Sequence, residues 1–96
     1  MVLAYKGEGE KARSLFKEIV AERPDYVMGY YYMAMVEKGM GMHNEALTNF
    51  DKVAKVFEQQ DPSLAAECYA NMGDIFKSKG DAAQANEMYQ LAASFR

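Results

Sequence analysis

Apolar positions recur along the chain with helical rather than strand-like spacing. Ala12, Leu15, Phe16, Ile19 and Val20 fall on one stripe of roughly 3.6-residue period, as do Ala46, Phe50, Val53, Ala54 and Phe57, and again Ala85, Met88, Tyr89 and Ala92. Stripes of this kind predict amphipathic helices that bury one face. Start signals frame them. Asp61 before Pro62 offers a capping side chain with proline at the first helical position, and Asp81 with Gln84 three residues on reads as an N-cap with its capping-box partner. The segment from Tyr26 to Val36 is the exception, because Tyr30, Tyr31 and Tyr32 favour a strand on propensity. Its place in the chain decides for a helix, since it matches the helical stretch from Ala66 to Lys79 in a repeated frame.

That frame is an internal repeat. Gly7 with Ala12 and Phe16, Gly41 with Ala46 and Phe50, and Gly80 with Ala85 and Tyr89 repeat one phrase, in which alanine follows glycine by five residues and an aromatic follows alanine by four. The offset is 34 residues from the first copy to the second and 39 from the second to the third. A helical hairpin explains the phrase. Glycine ends one helix in a left-handed turn at little steric cost, alanine lets the next helix cross its partner closely, and the ring fills the space one turn later.

The third copy runs Tyr69, Met72, Gly73, Phe76, then Gly80, Ala85, Tyr89, Ala92. This resembles the tetratricopeptide repeat, W-x2-L-G-x2-Y followed by A-x3-F and a proline over about 34 residues. In the second copy Tyr30, Met33, Ala34, Gly41, Ala46 and Phe50 match, while Glu37 stands where an aromatic is expected; the first copy keeps Gly7, Ala12, Phe16 and a closing Pro24. The resemblance covers the whole chain. It implies an all-α fold, a right-handed α-solenoid of antiparallel helix pairs with about 2.5–3 repeats: a partial repeat at 1–26, a repeat at 27–65 and a repeat at 66–96. The middle repeat carries five extra residues between Phe50 and Tyr69, which a longer second helix or a longer loop around Gln59 to Ser63 would absorb. Both ends of such a stack are expected to lack the usual polar cap.

Composition narrows the function classes. Eleven Lys and Arg against fourteen Asp and Glu give a formal charge of −3, whereas a phosphate-backbone binder wants a positive surplus, so no nucleic-acid partner is expected. The longest apolar run, Val27 to Val36, is about half of a membrane span, and no membrane insertion is expected. A lone cysteine, Cys68, can form neither an internal disulfide nor a CxxC metal clip; beside Tyr69 it reads as a small buried hydrophobe. Acidic charge and a single thiol lean towards the cytoplasm.

Catalysis finds no constellation. The only histidine, His43, reads as a solvated loop or helix-start residue and falls at a different level of the expected stack from Cys68. Glu8, Glu10, Glu45 and Asp81 sit at expected helix starts, where they oppose the macrodipole. There is no glycine-rich phosphate loop, HExxH or EF-hand loop, so neither enzyme nor cofactor nor metal is expected.

The resemblance implies protein binding. In that family the first helix of each pair lines a concave groove. Carried over position by position, this assigns Met28, Tyr31, Tyr32, Met35 and Lys38 to the groove from the second copy, and Glu67, Ala70, Asn71, Asp74, Lys77 and Ser78 from the third. The first set is aromatic and methionine-rich, suited to a partner helix or an extended apolar peptide; the second is polar and mixed in sign. The pattern of lysine, asparagine and arginine with which a subset of that family grips a carboxylate terminus is largely absent. Tyr30, Met33, Tyr69, Met72, Phe76 and Tyr89 are expected in the core, and Met28, Tyr31, Tyr32 and Met35 are either groove or core under a neighbouring chain. The expected function is a scaffold or adaptor that holds a protein partner in the groove. The alternative is self-association through uncapped helix ends, as a homo-oligomer or as a piece of a longer repeat protein.

Overall fold

A computed structural model describes residues 6–96, and their side chains from residue 8 onward. These residues form five helices and no strand: α1 (Lys6–Glu22), α2 (Val27–Gly39), α3 (His43–Phe57), α4 (Pro62–Ser78) and α5 (Ala82–Ser94). The tyrosine-rich segment is helical as expected, because the hairpin frame outweighs local strand propensity.

The repeated glycine sets the turns. Gly41 and Gly80 adopt φ of 78° and 84°, the left-handed region open to glycine without a Cβ clash. Each closes its helix with the same pair of bonds. Met42 N–H donates to Glu37 O at 2.8 Å and Gly41 N–H to Lys38 O at 3.1 Å. In the later copy Asp81 N–H donates to Phe76 O at 2.9 Å and Gly80 N–H to Lys77 O at 3.0 Å. Asp81 also caps α5, its Oδ1 accepting from Gln84 N–H at 3.1 Å. The reciprocal half of the capping box is not made, since the Asp81 N–H is already given to Phe76. Asp61 caps α4 in the same way, accepting from Leu64 N–H at 3.2 Å with Pro62 at the first position. Gly7, expected to end a helix, instead lies inside α1, because glycine accepts the helical region as readily as the left-handed one.

Neither the loop nor the second helix takes most of the five-residue excess. The connections before α2 and before α4 are equally long, but α2 begins three residues before Tyr30 and α4 seven before Tyr69. Four of the five residues therefore extend α4 towards its N-terminus, where the Asp61–Pro62 cap fixes the start, and one extends α3.

The chain divides within α3 into two compact units, one up to Asn49 and one from Phe50. In the first, α1 packs on α2. Pro24 turns the chain between them, with Tyr26 N–H donating to Arg23 O at 3.0 Å. Gly29 lets the helices approach: a Cβ there would stand 2.6 Å from Val20 Cγ1. Val20, Met33, Ala34 and Ala46 are buried around this contact. Leu15, placed on the apolar stripe by periodicity, is 58% exposed. It lies about 140° around α1 from the buried Val20, off the face that meets α2. In the second unit α4 packs on α5 over Phe50, Val53, Ala65, Ile75, Ala85 and Ala92. Here the glycine and the ring of the motif touch directly, since a Cβ on Gly73 would meet Tyr89 Cε1 at 2.7 Å. Of the six residues expected in the core, Met33, Tyr69 and Met72 are buried, whereas Tyr30, Phe76 and Tyr89 are half-buried at helix edges.

Candidate functional site

In the first unit α2 carries two chemically distinct stripes. Met28, Tyr31, Tyr32, Met35 and Lys38 share one, at helical spacing. Tyr32 and Met35 are each 41% exposed, and Met28, Tyr31 and Lys38 are half-buried. Tyr32 has two aromatic neighbours: Phe16 of α1 stacks on it at 5.6 Å between centroids, and Tyr31 makes a T-shaped contact with it at 5.6 Å. Periodicity placed Phe16 in the core, but it is half-buried and braces this aromatic surface.

The other stripe of α2 runs through Tyr30, Met33 and Glu37. Glu37 fills the position where the motif has an aromatic, and it is 1% exposed. Both carboxylate oxygens are engaged. Arg13 Nε of α1 donates to Oε2 at 2.8 Å, and Asn49 Nδ2 of α3 donates to Oε1 at 2.8 Å. One acidic side chain thus ties three helices, with its charge matched by Arg13. This clamp escaped the sequence reading. Its trace was there in the repeat frame, where Asn49 is polar while Leu15 and Met88 occupy the equivalent positions, beside the anomalous Glu37.

In the second unit Glu67, Asn71, Asp74 and Lys77 recur at the same spacing along α4; all are exposed except the half-buried Asn71. Asn71 Nδ2 donates back to Glu67 O at 2.9 Å, and Asp74 Oδ1 accepts from the Tyr89 hydroxyl of α5 at 2.5 Å. That bond, more than desolvation, raises the Tyr89 hydroxyl above its ordinary range. On the buried side Tyr69 donates to Glu58 Oε2 at 2.6 Å and stacks on Phe95.

Cys68 is fully buried, and burial, with the nearby Glu67 charge adding to it, pushes its thiol up to about 12. At neutral pH it is a packed thiol with little thiolate character. His43 is the first residue of α3, but it is half-buried rather than solvated, and its Nδ1 is buried without a hydrogen-bond partner among the described residues. Glu8 and Glu45 lie in first helical turns, and Glu10 a little further in. Among the described residues no three His, Cys, Asp or Glu side chains cluster as a metal site would require, and no helix is long and apolar enough to cross a membrane.

The family model described as Tetratricopeptide repeat matches residues 25–96, which takes in both complete hairpins. No curated protein and no solved structure matches the chain. The family match spans three-quarters of the sequence, and the chain belongs to the tetratricopeptide repeat family, whose domains generally mediate protein–protein interactions.

Proposed function

We propose that this chain is a scaffold or adaptor that holds a peptide or helix of a partner protein in the concave groove expected of its repeats. The candidate residues are Met28, Tyr31, Tyr32, Met35 and Lys38 in the first unit and, taken separately, Glu67, Asn71, Asp74 and Lys77 in the second. The observation that carries this reading is the exposed pair Tyr32 and Met35, with Tyr32 already braced by Phe16 and Tyr31. A braced ring loses little side-chain freedom on binding, and a methionine adapts to the shape it meets. The reading requires no cofactor and gives the chain no chemistry of its own; the cytoplasm, a reducing compartment, suits its single buried thiol. The test is affinity capture from a native extract with wild type and Tyr32→Ala/Met35→Ala in parallel. The variant is expected to keep its helicity and lose the partners, and a variant that retained them all would refute this surface.

A second reading rests on a different observation. An apolar cleft of about 410 Å³ lies between α1 and α2, lined by Gly9, Ala12, Met35, Val36 and Met40. Ala12 is half-buried there, whereas its equivalents Ala46 and Ala85 are 0% and 3% exposed. A helix from a second copy, or from a longer repeat protein, would cover Ala12 as its equivalents are covered. Light scattering then shows dimers or larger oligomers at micromolar concentration, while a monomer throughout that range removes the self-association half of this reading.

A further inference from the structure

The stripe of α2 that carries Glu37 faces a second cleft, in the first unit, of about 430 Å³. Its residues Tyr30, Met33 and Glu37 stand two positions from Met28, Tyr31 and Met35, which is about 200° around the helix, so this cleft is on a different face of α2 from the surface proposed above. Val20, Ala21 and Met33 give it apolar lining. Lys17 stands on the α1 wall and Glu45 with Thr48 on the α3 wall. Arg13 and Glu37 also border the cleft, but they neutralise each other, and Asn49 takes the remaining carboxylate oxygen. The charges left to meet a ligand are Lys17 and Glu45. Both are exposed, and neither forms an ion pair among the described residues.

We infer that this cleft is a second docking site, for a segment of a partner protein that carries one apolar side chain flanked by a carboxylate and a cation. Charge complementarity selects that occupant. The apolar side chain covers Val20, Ala21 and Met33, its carboxylate pairs with Lys17, and its cation pairs with Glu45. A segment with two like charges meets repulsion on one wall, and one without the apolar centre leaves the lining wet. The clamp beneath gives a rigid floor, because Glu37 fixes α1, α2 and α3 to one another at the cleft.

The experiment titrates the ¹⁵N-labelled chain with three blocked synthetic peptides. Each has a central leucine in a serine background, flanked by glutamate and lysine, by two glutamates or by two lysines. Wild type is expected to prefer the mixed peptide by about fivefold, the worth of one exposed ion pair, with amide shifts at Val20, Ala21 and Met33. Lys17→Glu makes both walls acidic and shifts the preference to the dilysine peptide; Glu45→Lys makes both basic and shifts it to the diglutamate peptide. Both positions are exposed, so circular dichroism of the two variants is expected to match wild type. Equal affinity for all three peptides, or preferences that do not move with the variants, overturns the inference. Shifts confined to Tyr31, Tyr32 and Met35 would also overturn it, while favouring the groove reading. Self-association of the unliganded chain abolished by Lys17→Glu would overturn it in favour of a second copy as the occupant.

Discussion

Replacing Glu37 by glutamine tests whether the buried clamp holds the first unit together. Glutamine keeps the shape of the side chain and one acceptor oxygen, so one of the two 2.8 Å donors can still be served. The other then faces an amide NH2, and the Arg13 charge loses its counter-ion. A hydrogen bond to a charged group contributes about 1.5–3 kcal/mol, and removing one partner of a fully buried pair costs about 3–5 kcal/mol. The Arg13 side chain is 25% exposed, so water recovers part of its solvation and the lower range applies. Glu37→Gln is therefore expected to cost about 2 kcal/mol, which in a chain of this size lowers Tm by roughly 8–16 °C. A double-mutant cycle isolates the pair. Arg13→Met keeps much of the stem but leaves Glu37 charged and buried, so it costs more than Glu37→Gln. The two together cost less than their sum, by about 1–2 kcal/mol. Urea and thermal unfolding followed by circular dichroism measure all four proteins. A Glu37→Gln change within about 0.5 kcal/mol of wild type, or additive single effects, would refute the claim that the ion pair bears on stability.

Three further outcomes follow from the turns and the buried hydroxyl and thiol. Gly41→Ala and Gly80→Ala each place a Cβ in open space, so their whole cost is the left-handed backbone, about 1–2 kcal/mol in thermal melts and similar at the two sites; a stabilising change would contradict the turn geometry. The Tyr69 hydroxyl is held above its ordinary value of 10.0, chiefly by burial and then by its bond to Glu58. The folded chain thus favours its neutral form, a contribution complete below about pH 10 and lost as pH climbs above it. Unfolding free energy is expected to fall between pH 10 and 11.5, with a shallower slope in Tyr69→Phe, and an unchanged slope would count against the assignment. Cys68, buried and raised to about 12, should react with a thiol reagent at pH 8 only as fast as the second unit opens; labelling at the rate of a free thiol while helicity is intact would refute its burial.

The turns were legible in the sequence because each rests on one residue whose conformational range is unique. Glycine five residues before alanine can be read as a left-handed helix end, and Gly41 and Gly80 supply it. Gly7 shows the limit of that inference, since the same freedom lets glycine sit inside α1. Caps were legible for a related reason: Asp61 and Asp81 act on backbone three residues away, so no distant partner decides their role. Periodicity located the buried faces less sharply. A 3.6-residue stripe says which residues share a side, but the width actually covered depends on neighbouring helices, and Leu15 falls outside it.

Glu37 stood out only as an anomaly in the repeat frame, and its role was not legible for the opposite reason, because it depends on Arg13 and Asn49, 24 residues before it and 12 after. At the equivalent place in the third copy stands Phe76, half-buried, with the Lys79 ammonium 5.9 Å from its ring centre. One slot of the hairpin thus accepts two solutions: a ring that covers apolar surface, or a carboxylate that collects donors from the flanking helices. Only the second is an all-or-none commitment, since a carboxylate without its donors is worse than either alternative. The polar residues at positions 13 and 49 are therefore required by Glu37 rather than incidental to it. The carboxylate stripe of α2 thus lies on a different side of the helix from the apolar chemistry of Tyr32 and Met35.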